Sequence, residues 1–290
     1  MKLRDFYGYV VKFGSQRDPR KNKRIKSYAD SAVLYGNLDL EVKKILVGID
    51  MEVGELLLAD KIRTESGLDL AISHHPEGRA YASLHEVMKL QIDLLEESGV
   101  SPEVAQKLLE KRMEEVSRRI LSQNHMRVVD AARLINMPFM CMHTPADNHV
   151  YVFLKNLMKL KKPKKVKDIV SILSDIPEYK YAATAIGCGP RAILGSPNRS
   201  AGKILFEMTG GTEGPKEALD KLYKAGVRTL VSMHLSEEHL KKAKDANLNV
   251  IIAGHISSDS LGLNLLLDRI EKKERLEVVG CSGFNRVRRI

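Results

Sequence analysis

Three clusters of histidine and carboxylate residues are the part of this sequence best suited to chemistry. They occupy positions 73–76 (SHHP), 143–147 (HTPAD) and 254–259 (GHISSD). Imidazoles and carboxylates are common ligands of zinc, manganese and iron. Each cluster follows a short apolar run rich in β-forming residues, so we predict that each lies at the C-terminal end of a strand, where open α/β sheets bind ligands. We therefore expect the three clusters to meet around one metal centre.

The first and third clusters each offer two side chains that can bind metal. Neighbouring strand residues point to opposite faces, so His74 and His75 at a strand end can serve two metals, or one metal and a supporting residue. His255 and Asp259 share one face of a helix if the chain is already helical there. The alternatives are surface or hydrogen-bonded histidines and, for Asp259, an acidic residue that stabilises a helix N-terminus.

The second cluster places Asp147 four residues after His143. Pro145 lies between them and argues against a continuous helix from His143, so we predict a shaped loop. We interpret Asp147 as a metal ligand, and His143 as a residue that holds the loop or donates a hydrogen bond to a ligand. The alternative for His143 is a hydrogen-bonded core histidine.

Residues 210–214 (GGTEG) form a glycine-rich turn before a predicted helix. Free N–H groups in such a turn can bind an anion. The pattern matches neither the Walker nor the dinucleotide fingerprint, so we favour a tight turn as its role. Glu213 in this turn is a candidate to reach the metals or a substrate. We interpret the remaining histidines as structural or surface residues, although one of them, His234, also ends a predicted strand: His85, His125, His149, His234 and His239.

The composition is that of a globular protein. The chain has 290 residues, of which 43% are hydrophobic and 29% are charged. No stretch approaches the roughly 20 apolar residues that span a bilayer, and the N-terminus lacks the apolar core of a signal peptide. The three cysteines contain no Cys-x-x-Cys pair, which fits a reducing compartment. We therefore expect a cytoplasmic protein without a membrane partner.

A formal net charge of +10 comes partly from two basic runs, at 17–26 (RDPRKNKRIK) and 159–167 (KLKKPKKVK). A positive surface favours anionic small-molecule substrates. Nucleic acid is the alternative partner, but no aromatic residues interleave with these runs to stack on bases. We prefer the interpretation that the runs are solvated faces.

Short apolar runs alternate with helical stretches over most of the chain. Predicted strands lie at 44–48, 68–73, 138–142, 203–208, 229–233, 249–253 and 276–279, and residues 83–135 are mostly helical. Strands separated by helices favour parallel pairing. We predict an α/β fold made of two α/β/α-type halves, residues 1–155 and 156–290, with mixed, mainly parallel sheets and a metal site between them.

Together with the blocks 30–36 (DSAVLYG) and 44–50 (KILVGID), these clusters resemble the NIF-three-like family, whose bacterial members are known as GTP cyclohydrolase I type 2 homologues. The resemblance runs from about residue 30 to 270, and the order and spacing of the blocks make it specific. It implies a two-domain α/β protein with a dinuclear metal site and assembly into a ring-shaped homohexamer.

The resemblance also implies a ligand set for two divalent ions, which can be zinc, manganese or iron: His74, His75, Asp147, His255 and Asp259. Two positions depart from the family pattern. The family usually has glutamate where Asp259 stands, and it usually reads His-Thr-Asn-Leu-Asp where this chain has Pro145 and Ala146.

Two function hypotheses follow. The first is a metal-dependent hydrolase of a phosphorylated or nucleotide-like small molecule, with a bridging water as nucleophile and no separate general base. The second is a non-catalytic, metal-binding regulatory protein with a nucleic-acid or protein partner. Metal storage or delivery is a third possibility.

Overall fold

The architecture is taken from a computed structural model that describes residues 1–20 and 24–290. The middle of the basic run 17–26 therefore lies outside the described residues. The helices are α1 (Leu3–Ser15), α2 (Val53–Ser66), α3 (Gly78–Ala82), α4 (Leu84–Val87), α5 (Leu90–Glu97), α6 (Pro102–Ile120), α7 (Arg127–Leu134), α8 (Thr144–Lys161), α9 (Val166–Ser174), α10 (Pro177–Tyr181), α11 (Ala218–Lys224), α12 (Glu237–Asp245) and α13 (His255–Glu271). A π-helical turn, Ala182–Ile186, follows α10.

The strands are β1 (Ser31–Tyr35), β2 (Lys44–Gly48), β3 (Leu70–Ser73), β4 (Phe139–Met142), β5 (Arg191–Leu194), β6 (Lys203–Glu207), β7 (Val227–Ser232), β8 (Asn249–Ile252) and β9 (Glu277–Gly280). They form two sheets. The strand order is β1-β4-β3-β2-β9 in the first sheet and β5-β8-β7-β6 in the second.

Both sheets are mixed and mainly parallel, which confirms the predicted fold class. In the first sheet β1 alone is antiparallel to its neighbour, and in the second sheet β5 alone is. Ile45, Leu46 and Val47 of β2 are all buried, as expected for a parallel strand covered on both faces. Near the end of the chain, β9 pairs Val278 with Ile45 and completes the first sheet.

Helices α8 and α13 connect the two sheets, since they contribute side chains to the core over each. Ala146 and Leu263 pack in the first core, whereas Val150 and Leu261 pack in the second. A Cβ atom added to Gly262 would lie 2.7 Å from the carbonyl oxygen of Ala146. The two backbones therefore touch, and this contact sets the separation of the first turns of the two helices.

The structure corrects the loop that Pro145 led us to predict. Helix α8 begins at Thr144, and Pro145 lies in its first turn. A proline is tolerated there because the first N–H groups of a helix have no partner within the helix. Asp147 is consequently a helical residue. The predicted boundary near residue 155 falls within α8, and the division of the chain into two halves at that point stays a prediction.

Among the described helices, none combines the length and the apolar character needed to cross a bilayer. All three cysteines are free, and Cys141 is buried in the way expected of a core thiol.

Candidate metal centre

The histidine pair is held at the C-terminal edge of the first sheet. His74 and His75 directly follow β3, and their N–H groups donate to the carbonyl oxygens of Gly48 and Ile49, each at 2.9 Å. The strand pairing with β2 therefore continues through the pair, and its backbone is fixed. The His74 side chain is fully buried, whereas that of His75 is 25% exposed.

The other two clusters lie at the N-termini of α8 and α13. Asp147 is in the first turn of α8, and His255 opens α13 with Asp259 one turn later. A carboxylate in the first turn, such as that of Asp147, is favourable at a positive helix end. Gly254 precedes α13 with φ +111°, and a Cβ there would meet Ser257 Oγ at 2.6 Å, so glycine is required at this entry.

One group of potential ligand atoms is buried. His74 Nε2 lies 3.3 Å from Asp147 Oδ1 and 3.5 Å from Asp259 Oδ1. The ligand atoms of these three residues all lie within 4.8 Å of one another, a separation that a single metal ion can bridge.

A second group lies beside the first and uses the other oxygen of Asp259. His75 Nε2 lies 3.3 Å from His255 Nε2 and 3.4 Å from Asp259 Oδ2. His255 Nε2 is 3.5 Å from the same oxygen. The structure thus brings all five residues proposed as ligands to one place, with Asp259 shared between two groups.

The chemistry of these atoms fits a bound cation. Both ring nitrogens of His74, Oδ1 of Asp147 and both carboxylate oxygens of Asp259 are buried without a hydrogen-bond partner. Unpartnered buried polar atoms are costly and rare in folded proteins. Imidazole nitrogens and carboxylate oxygens facing one another satisfy these atoms when they share a divalent ion, so these groups could hold a metal.

Two further aspartates support the histidines. Asp50 Oδ1 lies 2.6 Å from Nδ1 of His75, and the buried Asp30 Oδ2 lies 2.7 Å from Nδ1 of His143. A carboxylate bonded to one ring nitrogen orients the imidazole and leaves the other nitrogen free for metal or substrate. We did not single out these aspartates from the sequence, although both lie in the two blocks at 30–36 and 44–50. Asp50 also follows a strand end, which is the signal that located the three clusters.

His143 faces the same cavity. Its Nε2 lies 3.7 Å from Asp147 Oδ2, and it forms a third group of nearby ligand atoms with His74 and His75. Asp30 also accepts a hydrogen bond from the Thr144 hydroxyl at 2.6 Å, which locks the start of α8 to this pair. The supporting role assigned to His143 stays a prediction.

Glu213 does not join the ligand groups found among the described residues. Its carboxylate accepts the Ser236 N–H at 2.5 Å and lies 3.6 Å from His234 Nδ1 and 3.4 Å from His239 Nδ1. His234 itself lies at the crevice, with its ring centroid 4.7 Å from that of His255. Our interpretation of His234 as structural or surface missed this position, which its place after β7 could have indicated.

Histidines and aspartates of the centre shift one another's pKa values, because each type favours the charged form of the other. Burial lowers the pKa of His74, but Asp259 and Asp147 raise it to about 10. Burial likewise opposes protonation of His75, while Asp259 and Asp50 raise its pKa to about 9. Burial raises the pKa of Asp259, yet His74, His75 and His255 bring it below its usual value. A divalent ion that bound these imidazoles would therefore have to displace protons from them.

A cavity of about 480 Å³ opens beside the centre. Its volume lies within the range of small-molecule sites. His75, His143, His234 and His255 line it on the side of the centre. The remaining walls include Tyr81, Leu84, Gln123, Asn124, Arg127, Gly211 and Thr212.

No protein-family model and no curated protein matches this chain. Several solved structures are similar to it. A NIF3 superfamily protein from Sphaerobacter thermophilus is 28% identical, with a TM-score of 0.79 over 96% of this chain and 98% of its own. Reduced HcgD from Methanocaldococcus jannaschii is 15% identical, with a TM-score of 0.58 over 97% of both chains. TTHA1606 from Thermus thermophilus is 15% identical, with a TM-score of 0.54 over 97% of both chains. The two more distant likenesses show a shared fold.

Proposed function

We propose that this chain, which belongs to the NIF3-like family, binds two divalent metal ions and is a metal-dependent hydrolase of a phosphorylated or nucleotide-like small molecule. The observation that carries this proposal is the position of Asp259. Its two oxygens face two different sets of ligand atoms, which is the arrangement expected of a carboxylate shared by a pair of metals.

In this proposal His74, Asp147 and Asp259 hold one ion, and His75, His255 and Asp259 hold the other. Zinc, manganese and iron all suit this donor set. When bound, a pair of such ions polarises a substrate oxygen and lowers the pKa of water to near neutrality.

The cavity supports a small anionic substrate. His75 and His255 are 25% and 40% exposed and line the cavity, whereas His74, Asp147 and Asp259 are buried behind them. Substrate therefore approaches from the side of His75 and His255. The net charge of +10 favours an anion, and Arg127 in the cavity wall adds a cation, which also pairs with Glu52 at 3.3 Å.

Two histidines of the cavity are positioned to contact substrate without holding a metal. Asp30 engages Nδ1 of His143, and Glu213 lies on the Nδ1 side of His234. In each case Nε2 has no hydrogen-bond partner among the described residues, although that of His143 lies 3.7 Å from Asp147 Oδ2. We propose that these nitrogens orient the substrate or exchange a proton with its leaving group.

The test is to reconstitute the protein with zinc, manganese or iron and to assay phosphoesters, cyclic nucleotides and GTP. We expect metal-dependent turnover that His75→Ala reduces by at least a hundredfold, with the circular dichroism spectrum unchanged. His85→Ala is the matched control because His85 lies outside this cavity, and it should retain activity. Metal binding without turnover on any of these substrates would contradict the hydrolase.

One observation favours the non-catalytic alternative, in which the metal-binding protein has a nucleic-acid or protein partner. The six lysines between residues 159 and 167 are exposed, and none of them forms an ion pair within the part of the chain that the structure describes. This alternative predicts that polynucleotide is retained at physiological salt in the absence of turnover.

The ring-shaped homohexamer implied by the resemblance is part of the proposal, as are the cytoplasmic location and the two halves 1–155 and 156–290. Light scattering of the purified protein tests the hexamer directly. A monomer at micromolar concentration would contradict it.

A further inference from the structure

The glycine turn at residues 210–213 forms one wall of the cavity beside the metal centre. Gly211 and Thr212 line the cavity, and both Gly210 (φ +97°) and Gly211 (φ +89°) are left-handed. A Cβ on Gly210 would lie 2.7 Å from Gln91 Cγ, and one on Gly211 would lie 3.0 Å from Val87 Cγ2. Conformation and packing both require glycine at these two positions.

The backbone donors of this turn are mostly unused. Thr212 N–H donates to the Gly210 carbonyl, but the N–H groups of Gly210, Gly211 and Glu213 find no acceptor among the described residues. Gly210 and Glu213 are buried. An amide kept from water without an acceptor is costly, so a partner is expected. Successive N–H groups in a left-handed turn form concavities that bind anions.

We propose that residues 210–213 cradle a phosphate group of the substrate beside the metal pair. This inference rests on the proposed function and gives it a more specific form: the substrate carries a phosphate, and backbone amides as well as metal ions recognise it. The sequence pattern alone had favoured a tight turn. The unused donors of a turn whose Gly211 and Thr212 line the cavity change this interpretation.

The acidic residues next to the turn already have hydrogen-bond partners of their own. The Glu213 carboxylate is occupied by the Ser236 N–H and lies close to His234 and His239. The Glu207 carboxylate accepts the N–H of Gly214 at 2.8 Å. Both carboxylates therefore already accept hydrogen bonds from backbone N–H groups.

Gln91 of α5 holds the turn in shape. Its Nε2 donates to the carbonyl oxygens of Gly210 at 2.8 Å and Thr212 at 2.7 Å, and its side chain is buried. These two hydrogen bonds stabilise the conformation of the turn. In that conformation the N–H groups of Gly210, Gly211 and Glu213 have no acceptor within the described part of the chain. Gln91 is a positioning residue in this proposal and does not touch the substrate.

The test measures inorganic phosphate binding to the manganese-loaded protein by calorimetry. Gln91→Leu removes both donors at similar size, and we expect phosphate affinity to fall about tenfold or more while bound manganese is unchanged. Gln106→Leu is the matched control because Gln106 is exposed and bonds only to Glu110, so it should bind phosphate normally.

A second pair of variants guards against misfolding of Gln91→Leu. Gly211→Ala displaces the turn from Val87 and should weaken phosphate binding similarly. Gly226→Ala carries the same backbone penalty, with φ +95° and nothing within 4 Å of the added Cβ, and should leave phosphate affinity unchanged.

Equal phosphate affinity in wild type, Gln91→Leu and Gly211→Ala, with metal bound, would overturn the cradle. So would a metal-loaded wild type that binds no phosphate. Turnover of a phosphoester with either result would leave the proposed function standing. If the wild type binds no metal, the proposed function fails; phosphate binding that still depends on Gln91 would support the cradle independently.

Discussion

At the residue scale, the centre depends on one carboxylate with two tasks. Asp259 faces His74 with one oxygen and both His75 and His255 with the other. Asp50 and Asp30 then orient the imidazoles of His75 and His143 from behind. Removing the shared carboxylate should therefore affect both ion positions, whereas removing a single histidine should affect one.

Asp259→Asn should reduce bound metal from the two equivalents proposed above to one or none, because the amide nitrogen cannot ligate a cation. Elemental analysis after dialysis against a weak chelator measures this. Asp259→Glu keeps the carboxylate and should keep both equivalents. Two tightly bound ions in Asp259→Asn would refute the shared-carboxylate arrangement.

The acid stability of the protein should depend on Glu213. Burial raises its pKa, but the nearby imidazoles of His234 and His239 and the hydrogen bond from the Ser236 N–H lower it to about 2 from its ordinary value of 4.5. The folded state then binds fewer protons than the unfolded state, so this contribution is present above pH 4.5 and is lost as the pH falls towards 2.

Urea denaturation of Glu213→Gln across this range should show a shallower loss of stability with acid than wild type. Glu110→Gln, an exposed substitution, serves as the control and should follow the wild-type curve. Parallel curves for Glu213→Gln and wild type would contradict the contribution assigned to Glu213.

At the element scale, the crossing of α8 and α13 determines whether the two helix N-termini meet. Gly262 allows the α13 backbone to touch Ala146 of α8. Apolar residues of both helices then pack into both sheets. Asp147 lies in α8 and Asp259 in α13, so the close approach of these helices brings the two carboxylates together.

Gly262→Ala should push these helices apart, since the added Cβ would lie 2.7 Å from Ala146 O and 2.9 Å from Val150 Cγ2. We expect a loss of about 1–3 kcal/mol in unfolding free energy and weaker metal binding. Thermal denaturation and metal titration measure these two effects. Gly8→Ala in α1 meets nothing within 4 Å and should instead stabilise by about 0.5–1 kcal/mol. Unchanged metal affinity in Gly262→Ala would argue against this role of the crossing.

At the scale of the whole molecule, the last segment of the chain connects the first sheet to helices α10 and α13. β9 completes the first sheet. Beyond it, Arg286 pairs with Asp268 of α13 at 2.6 Å, and Arg289 pairs with Glu178 of α10 at 2.5 Å. The first of these ion pairs anchors α13, the helix that carries Asp259.

Arg286→Met should destabilise the protein by about 3 kcal/mol, because it leaves the buried carboxylates of Asp268 and Glu271 without this partner. Chemical denaturation at neutral pH measures the loss. Arg288→Met removes a cation that is 51% exposed and should cost less than about 1 kcal/mol. Equal effects of the two variants would show that the buried network does not anchor α13.

Local pattern was sufficient for much of this protein. The apolar runs and the polar residues after them predicted most strands, the α/β class and the three clusters. This was possible because a buried strand and its end can be recognised from a few consecutive residues. The predicted strand at 44–48 coincides with β2. The start of α8 was missed because the rule that disfavours proline in helices does not hold in a first turn.

Other features depend on contacts between distant residues, and no local pattern encodes them. The pairing of β9 with β2 joins positions more than two hundred residues apart. The contact of Asp30 with His143 and the unused amides at 210–213 likewise appear only once the chain is folded, whereas Asp50 and His234 follow strand ends and carry a local signal. The sequence by itself determined which side chains can bind metal. The tertiary structure decided which of them meet, because that depends on how α8 and α13 pack between two sheets.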